Sequence, residues 1–301
     1  MTSGIPVLLL LKASVVLGAA LFAAIALRTA PAARHHRLWS TTFAAVLALP
    51  LLALALPVVR VPMPAWRAPA AERAALPHVF TAPAPIPTSP TSEAIAPRST
   101  PVSQTSATQT GPHVAARPAA MRLPSRRVVL GGLWLAGALA SLGTLLLALA
   151  RVRLLAASAR EMDDEAWRRA CARIAGELGV AQPVRVLASS RVVTPMAGGI
   201  LRPTVFVPET AAGWSEELRD VVLAHEIAHL ASRDPLRHLV ARLAFTLYWF
   251  HPLAWLAARR AIAACEQACD EAVLALGIRP STYAGALLHF ADAAPRRLAG
   301  P

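Results

Sequence analysis

Lysine is almost missing, since Lys12 is the only one in 301 residues. The 30 basic residues are therefore nearly all arginine, set against 17 acids, a bias that reflects a GC-rich genome more than a chemical need. Charge of either sign is scarce, at 16% of residues, while 55% are apolar and the mean hydropathy is positive. That balance excludes an ordinary water-soluble domain and directs attention to membrane spans. Aromatic residues are few as well, at 5%. The arginines lie scattered beside apolar runs instead of alternating with stacking rings, so the net charge of +13 makes no nucleic-acid surface and no direct nucleic-acid partner is expected. Cysteine is limited to Cys171, Cys265 and Cys269, an odd number without a CxxC pair. This excludes a disulfide framework and suits a reducing compartment. Cys265 and Cys269, four apart, share a helix face and read as small buried hydrophobes, with a metal role as the lesser alternative.

Long apolar runs are what the chain does have. Residues 7–27 are apolar except for Lys12, and about 20 such residues cross a hydrocarbon core of about 30 Å. No basic stretch precedes them, unlike a signal peptide. Residues 38–59 make a second span in spite of Pro50 and Pro57, because lipid offers the backbone no better alternative than helix. Residues 1–59 thus read as a transmembrane hairpin, and residues 128–150 as a third span. The short loop between the first two carries Arg28, Arg34 and Arg37 and no acid, which places it in the cytoplasm and the N-terminus outside. Three crossings then put residues 151–301 in the cytoplasm of a bacterium, with the inner membrane as the bilayer. Residues 60–127 are rich in Pro, Ala, Ser and Thr and too poor in periodic apolar content to form a core. They read as a flexible extracytoplasmic loop that connects the spans or senses a signal.

The polar part opens with EMDDEAWRRACARIAGELG, whose acids crowd the first turn of a helix that ends at Gly179. VRVLAS and TVFVPE flank the turn-rich TPMAGGILRP and predict a sheet of two or three strands. Its edge is a place where a substrate backbone can pair. Ser215 begins SEEL, a capping signature, and the helix runs from there to about Ser232 before Asp234 and Pro235 stop it.

Within that helix stands HEIAH, residues 225–229. The i, i+4 spacing brings His225 and His229 to one face, where both imidazoles can reach one zinc ion. Glu226 lies about 100° around the helix from His225, placed to take a proton from water beside the metal as general base. A catalytic zinc takes three protein ligands and keeps a fourth position open. Glu266 answers that need from PLAWLAARRAIAACEQACDEAVLALG, a helix that can return antiparallel beside the first. Asp270, one turn further on the same face, is within reach of a ligand imidazole that it would orient, its alternative being a plain surface charge. Residues 236–258 hold Arg237, His238, Arg242, His251 and Pro252, too polar for a lipid-facing span, and predict a helix that packs on the protease core or dips into the interface. Pro252 puts His251 in a turn between helices, as a structural residue more than a ligand.

HEIAHLASRDPL, LYWFHPLAWLAARRAIAACEQACDEAVLALG and YAGALL together resemble the BlaR/MecR-type peptidase family of membrane metalloproteases, similar in layout to the HtpX and Ste24 proteases. The resemblance covers roughly residues 160–290 and, through topology, the three spans. It implies that His225, His229 and Glu266 hold Zn2+, that Glu226 is the catalytic base, and that Asp270 is the family's recurrent acid after cysteine. It also implies a protein substrate, either a cytoplasmic repressor of the winged-helix kind or the chain itself, cut after an envelope signal. Antibiotic-sensing members continue into a fourth span and a penicillin-binding-like sensor, and these 301 residues carry neither, so β-lactam sensing is not expected. The predicted fold is α+β and mainly helical: three transmembrane helices, then a zincin-like domain with a small sheet. The predicted function is zinc metalloendopeptidase, against the alternatives of an inactive transmembrane signal transducer and of a transporter with a fortuitous HEIAH. Composition and motifs do not speak to the oligomeric state.

Overall fold

A computed structural model of the chain describes residues 5–55 and 125–293. Residues 56–59 of the second predicted span, and all but the last three residues of the Pro-rich loop, lie outside the described residues. Three helices occupy the predicted membrane segments: α1 (Ile5–Ala26), α2 (Ala32–Ala55) and α3 (Arg126–Ser158). Among the described residues two helices are long and apolar enough to cross a membrane, α1 over Val7–Ala26 and α3 over its full length.

The helix that carries the second predicted span starts before it. α2 begins at Ala32 instead of residue 38, so Arg34, His35, His36 and Arg37 are helical and the predicted basic loop shrinks to a tight turn. Glu271 explains the earlier start: its carboxylate accepts the Ala32 N–H through both oxygens, at 3.1 and 3.0 Å, satisfying a donor that a helix start leaves open. His36, Trp39, Phe43 and Val46 are buried at helical spacing, so one stripe of α2 faces protein. α3 likewise continues past residue 150 to Ser158. Its 33 residues span about 50 Å, longer than a hydrocarbon core, and its last turns reach the sheet, where Leu155 packs with Leu187, Val192 and Phe206.

The sheet has four strands: β1 (Arg160–Glu161), β2 (Arg185–Ser189), β3 (Met196–Gly198) and β4 (Thr204–Pro208), in the order β1-β2-β4-β3. β2 and β4 are parallel, and both outer pairs are antiparallel. The expected two or three strands fall short because β1, with two residues, is too brief to show alternation. Between β1 and β2 lies α4 (Glu165–Glu177), capped by the Asp164 carboxylate, which accepts from the Ala166 and Trp167 N–H groups. The chain leaves it through Gly179 at φ 72°, at the predicted end. Gly199, at φ 84°, makes the β3–β4 turn, and a Cβ there would stand 2.0 Å from the Arg202 carbonyl oxygen.

Four helices complete the fold: α5 (Glu216–Ala231), α6 (Asp234–Leu247), α7 (Pro252–Ala275) and α8 (Pro280–Ala293). α5 starts at the predicted cap, where the Ser215 hydroxyl accepts from the Leu218 N–H. The stretch 236–258 holds α6 and the beginning of α7, separated at Tyr248–His251 by the turn expected from Pro252. His251 is structural, as expected: its Nδ1 accepts from the Leu253 N–H at α7's start, and its Nε2 lies 3.0 Å from Ser14 Oγ.

Two apolar cores result. One gathers the sheet with α4, α5 and α8 around Val205, Val207, Leu223, Ile227 and Val273. The other gathers α1, α2, α6 and α7 around Leu17, Trp39, Phe43, Ala244 and Ala257. α7 is long enough, at about 36 Å, to serve both, with Ala254 and Ala257 in the second and Val273 in the first. The small alanines let α2 and α7 lie close, and the chemistry-bearing residues of α7 sit between the two cores.

Candidate metal centre

α5 places His225 and His229 one turn apart, their ring centroids 5.0 Å from each other. α7 crosses beside them and brings Glu266 to both: Glu266 Oε2 lies 3.7 Å from His225 Nε2 and 4.0 Å from His229 Nε2. Three donors, one from each residue, fall within 4.8 Å of one another. Ligands about 2.0–2.2 Å from a tetrahedral ion stand about 3.3–3.6 Å apart. The two distances from Glu266 to the histidines are only slightly wider than that, and a small inward movement of this half-exposed side chain closes the difference. The donor set of two imidazoles and one carboxylate suits zinc.

The other ring nitrogens decide how the imidazoles are held. His229 Nδ1 lies 2.9 Å from Asp234 Oδ2. His225 Nδ1 lies 2.9 Å from the Tyr283 hydroxyl, which donates to Asp270 Oδ1 at 2.5 Å. With its hydrogen given to Asp270, the Tyr283 oxygen accepts from the His225 Nδ1–H, which leaves Nε2 with its lone pair directed at the trio's centre. Both histidines thus present Nε2 and rest Nδ1 on an acid, directly in one case and through a phenol in the other. This is the arrangement that orients imidazole ligands.

Electrostatics follow the burial. Glu226 is 8% exposed, and burial pushes its carboxyl above the usual range against the lowering effect of His225 and His229. Burial alone would lower His229, but its hydrogen bonds with Asp234 and Cys265 prevail and push it up to about 10. Burial would raise Asp234, yet the hydrogen bond from His229 and the nearby His36 ring hold it well below the carboxylate range. Glu266 is lowered by its contact with His225 in spite of desolvation. Burial and the bond to Asp270 raise the Tyr283 hydroxyl, which keeps it a donor.

The predicted residues His225, Glu226, His229 and Glu266 therefore come together. Asp270 reaches His225 as expected, but Tyr283 stands between them, with a direct separation of 3.5 Å. Two participants, Asp234 and Tyr283, were not read as such in the sequence. Asp234 figured only as a helix stop. In the structure Arg233, at φ 56°, is the one described non-glycine residue in the left-handed region, and the sharp turn it makes aims Asp234 back at His229. Its position five residues after His229 was the available signal. Tyr283 comes from α8 and had no local signal. Cys265 and Cys269 are buried, as expected of them, but they also approach the site. The Cys265 thiol donates to Asp234 Oδ2 at 3.0 Å, and Cys269 Sγ lies 3.2 Å from His229 Nδ1. These two with His229 and Asp234 form a second group of donors that can hold a metal.

Beside His225 and Glu226 opens a recess of about 170 Å³ walled by Val221, Val222, Ala286, Leu287 and Phe290, apolar enough to take a hydrocarbon side chain. β3 packs against α5 at the free edge of the sheet.

The family model described as BlaR1 peptidase M56 matches residues 8–298. The regulatory protein BlaR1 of Bacillus licheniformis is similar to the chain, with 32% identity over 98 residues, which are 33% of this chain and 16% of that protein.

Proposed function

The chain belongs to the BlaR1 peptidase M56 family, and from that premise we propose that it is a membrane-embedded zinc metalloendopeptidase. His225, His229 and Glu266 hold the ion, and Glu226 is the base. The observation that carries this reading is the pairing of ring nitrogens: both histidines turn Nε2 toward Glu266 while an acid stands behind each Nδ1. Zinc, when bound, supplies Lewis acidity for the peptide carbonyl and makes water easier to deprotonate. Glu226 takes the proton of the attacking water and returns it to the leaving amine. Its burial raises its basicity toward what proton transfer near neutral pH requires. Half-exposed Glu266 marks the side from which a substrate backbone approaches.

Purified full-length protein should hold about one zinc per chain, and chelation should stop cleavage that zinc restores. Zinc without any cleavage, of the chain or of a co-expressed repressor, would overturn the reading in favour of an inactive transducer.

The substrate we assign is a protein, either a cytoplasmic repressor of the winged-helix kind or the chain itself. Its support is the regulatory protein among the relatives. α1, α2 and α3 cross the bacterial inner membrane in this reading, with the metal centre in the cytoplasm and residues 60–127 outside. The basic residues Arg28, Arg34 and Arg37 support that orientation. Reporter fusions at Thr105 and Ala299 should report opposite compartments, and matching readouts would refute it.

A further inference from the structure

The Asp234 carboxylate is 1% exposed, and its two oxygens meet different parts of the molecule. Oδ2 holds His229. Oδ1 faces α2, where His36 Nε2 stands 3.0 Å away, off the line of an N–H hydrogen bond, so this buried oxygen has no aligned donor. Arg237 is also near it, its Nη1 3.7 Å from Oδ1 and 3.2 Å from both nitrogens of the His36 ring. His36 is itself 5% exposed. A carboxylate in such surroundings keeps its place only if polar partners compensate its lost hydration. On the α2 side that partner is His36. Four residues earlier in α2, the Glu271 carboxylate of α7 binds the Ala32 N–H. The first two turns of α2 thus meet α7, which carries Glu266, through Glu271, and α6, whose Asp234 backs His229, through His36.

We propose that His36 is a positioning residue of the metal centre: it holds the buried Asp234 carboxylate in the orientation in which that carboxylate fixes the His229 imidazole. The inference rests on the zinc reading of the site. It makes the start of the membrane hairpin's second helix a part of the metal centre, so that a shift or rotation of α2 is felt at His229 through two contacts. A signal crossing the membrane along the hairpin would need no other route to the zinc ligand.

The test measures zinc affinity of the full-length chain in detergent by competition with a chelator. His36→Ala should weaken binding by about 10–100-fold, the usual cost of removing support behind a ligand. His36→Gln, which places an amide N–H near the position of Nε2, should bind zinc as the unaltered chain does. His36→Asn, too short to reach Asp234, should behave like His36→Ala, and this pair keeps the test open should His36→Ala not fold. In an Asp234→Asn background the His36→Ala change should cost no further affinity, because its effect passes through that carboxylate. The exposed Arg37→Ala, next in α2, should leave affinity unchanged. Unaltered affinity in both His36→Ala and His36→Asn would overturn the inference and leave the zinc reading standing. So would an equal loss with and without Asp234, which would make His36 a general packing residue. If the unaltered chain bound no zinc, the zinc reading would fall and this inference with it.

Discussion

The Glu226→Gln chain is expected to keep its zinc and its melting temperature and to lose peptide hydrolysis by about 10²–10⁴-fold, the usual contribution of one general base. The amide is nearly isosteric with the carboxylate, and Glu226 stands apart from the three donors, so neither packing nor metal content should change. What the amide cannot do is take the proton of the attacking water. Burial raises the native carboxyl above the usual range, which favours its holding that proton once taken. Zinc content by elemental analysis, thermal melting and cleavage of a co-expressed repressor measure the three quantities separately. Cleavage at the unaltered rate would end the active-site reading.

Glu266→Ala should do the reverse and remove the metal. A structural zinc site with four ligands is worth about 10–16 kcal/mol at neutral pH, so one ligand accounts for about 2.5–4 kcal/mol, or about 10²–10³ in Kd. With two imidazoles left, zinc should be lost on dialysis against a weak chelator. The same variant decides between the two groups of donors. If the ion sat instead among His229, Asp234, Cys265 and Cys269, Glu266→Ala would leave its affinity unchanged, whereas Cys269→Ser would lower it. Retention of zinc by Glu266→Ala would therefore overturn the ligand assignment.

Much of the site was legible because its main signals are local. An i, i+4 pair on a helix faces one way whatever the tertiary fold, which is why HEIAH gave His225, Glu226 and His229 their relative placement. The Ser215 cap, the end of α4 at Gly179 and the Pro252 turn were readable for the same reason, since each depends on the chemistry of a few neighbouring residues. Element boundaries set by a distant residue were not legible. α2 starts early because Glu271, 239 positions away, binds its first N–H, and no local pattern announces that. β1 forms from two residues only because β2 lies alongside.

By itself the sequence determined the apolar segments, the helix that carries two histidines and a glutamate on neighbouring faces, and the need for a third ligand that Glu266 could meet. Tertiary structure decided what stands behind those residues. Tyr283 reaches His225 from α8, Asp234 turns back on His229 through the left-handed Arg233, and His36 meets Asp234 across the interface of α2 and α6. Helical periodicity fixes directions within one element, whereas these contacts depend on how closely separate helices approach. That approach is set by packing between residues far apart in sequence, as where Ala244 of α6 shares a core with Trp39 and Phe43 of α2, and no local pattern marks such partners.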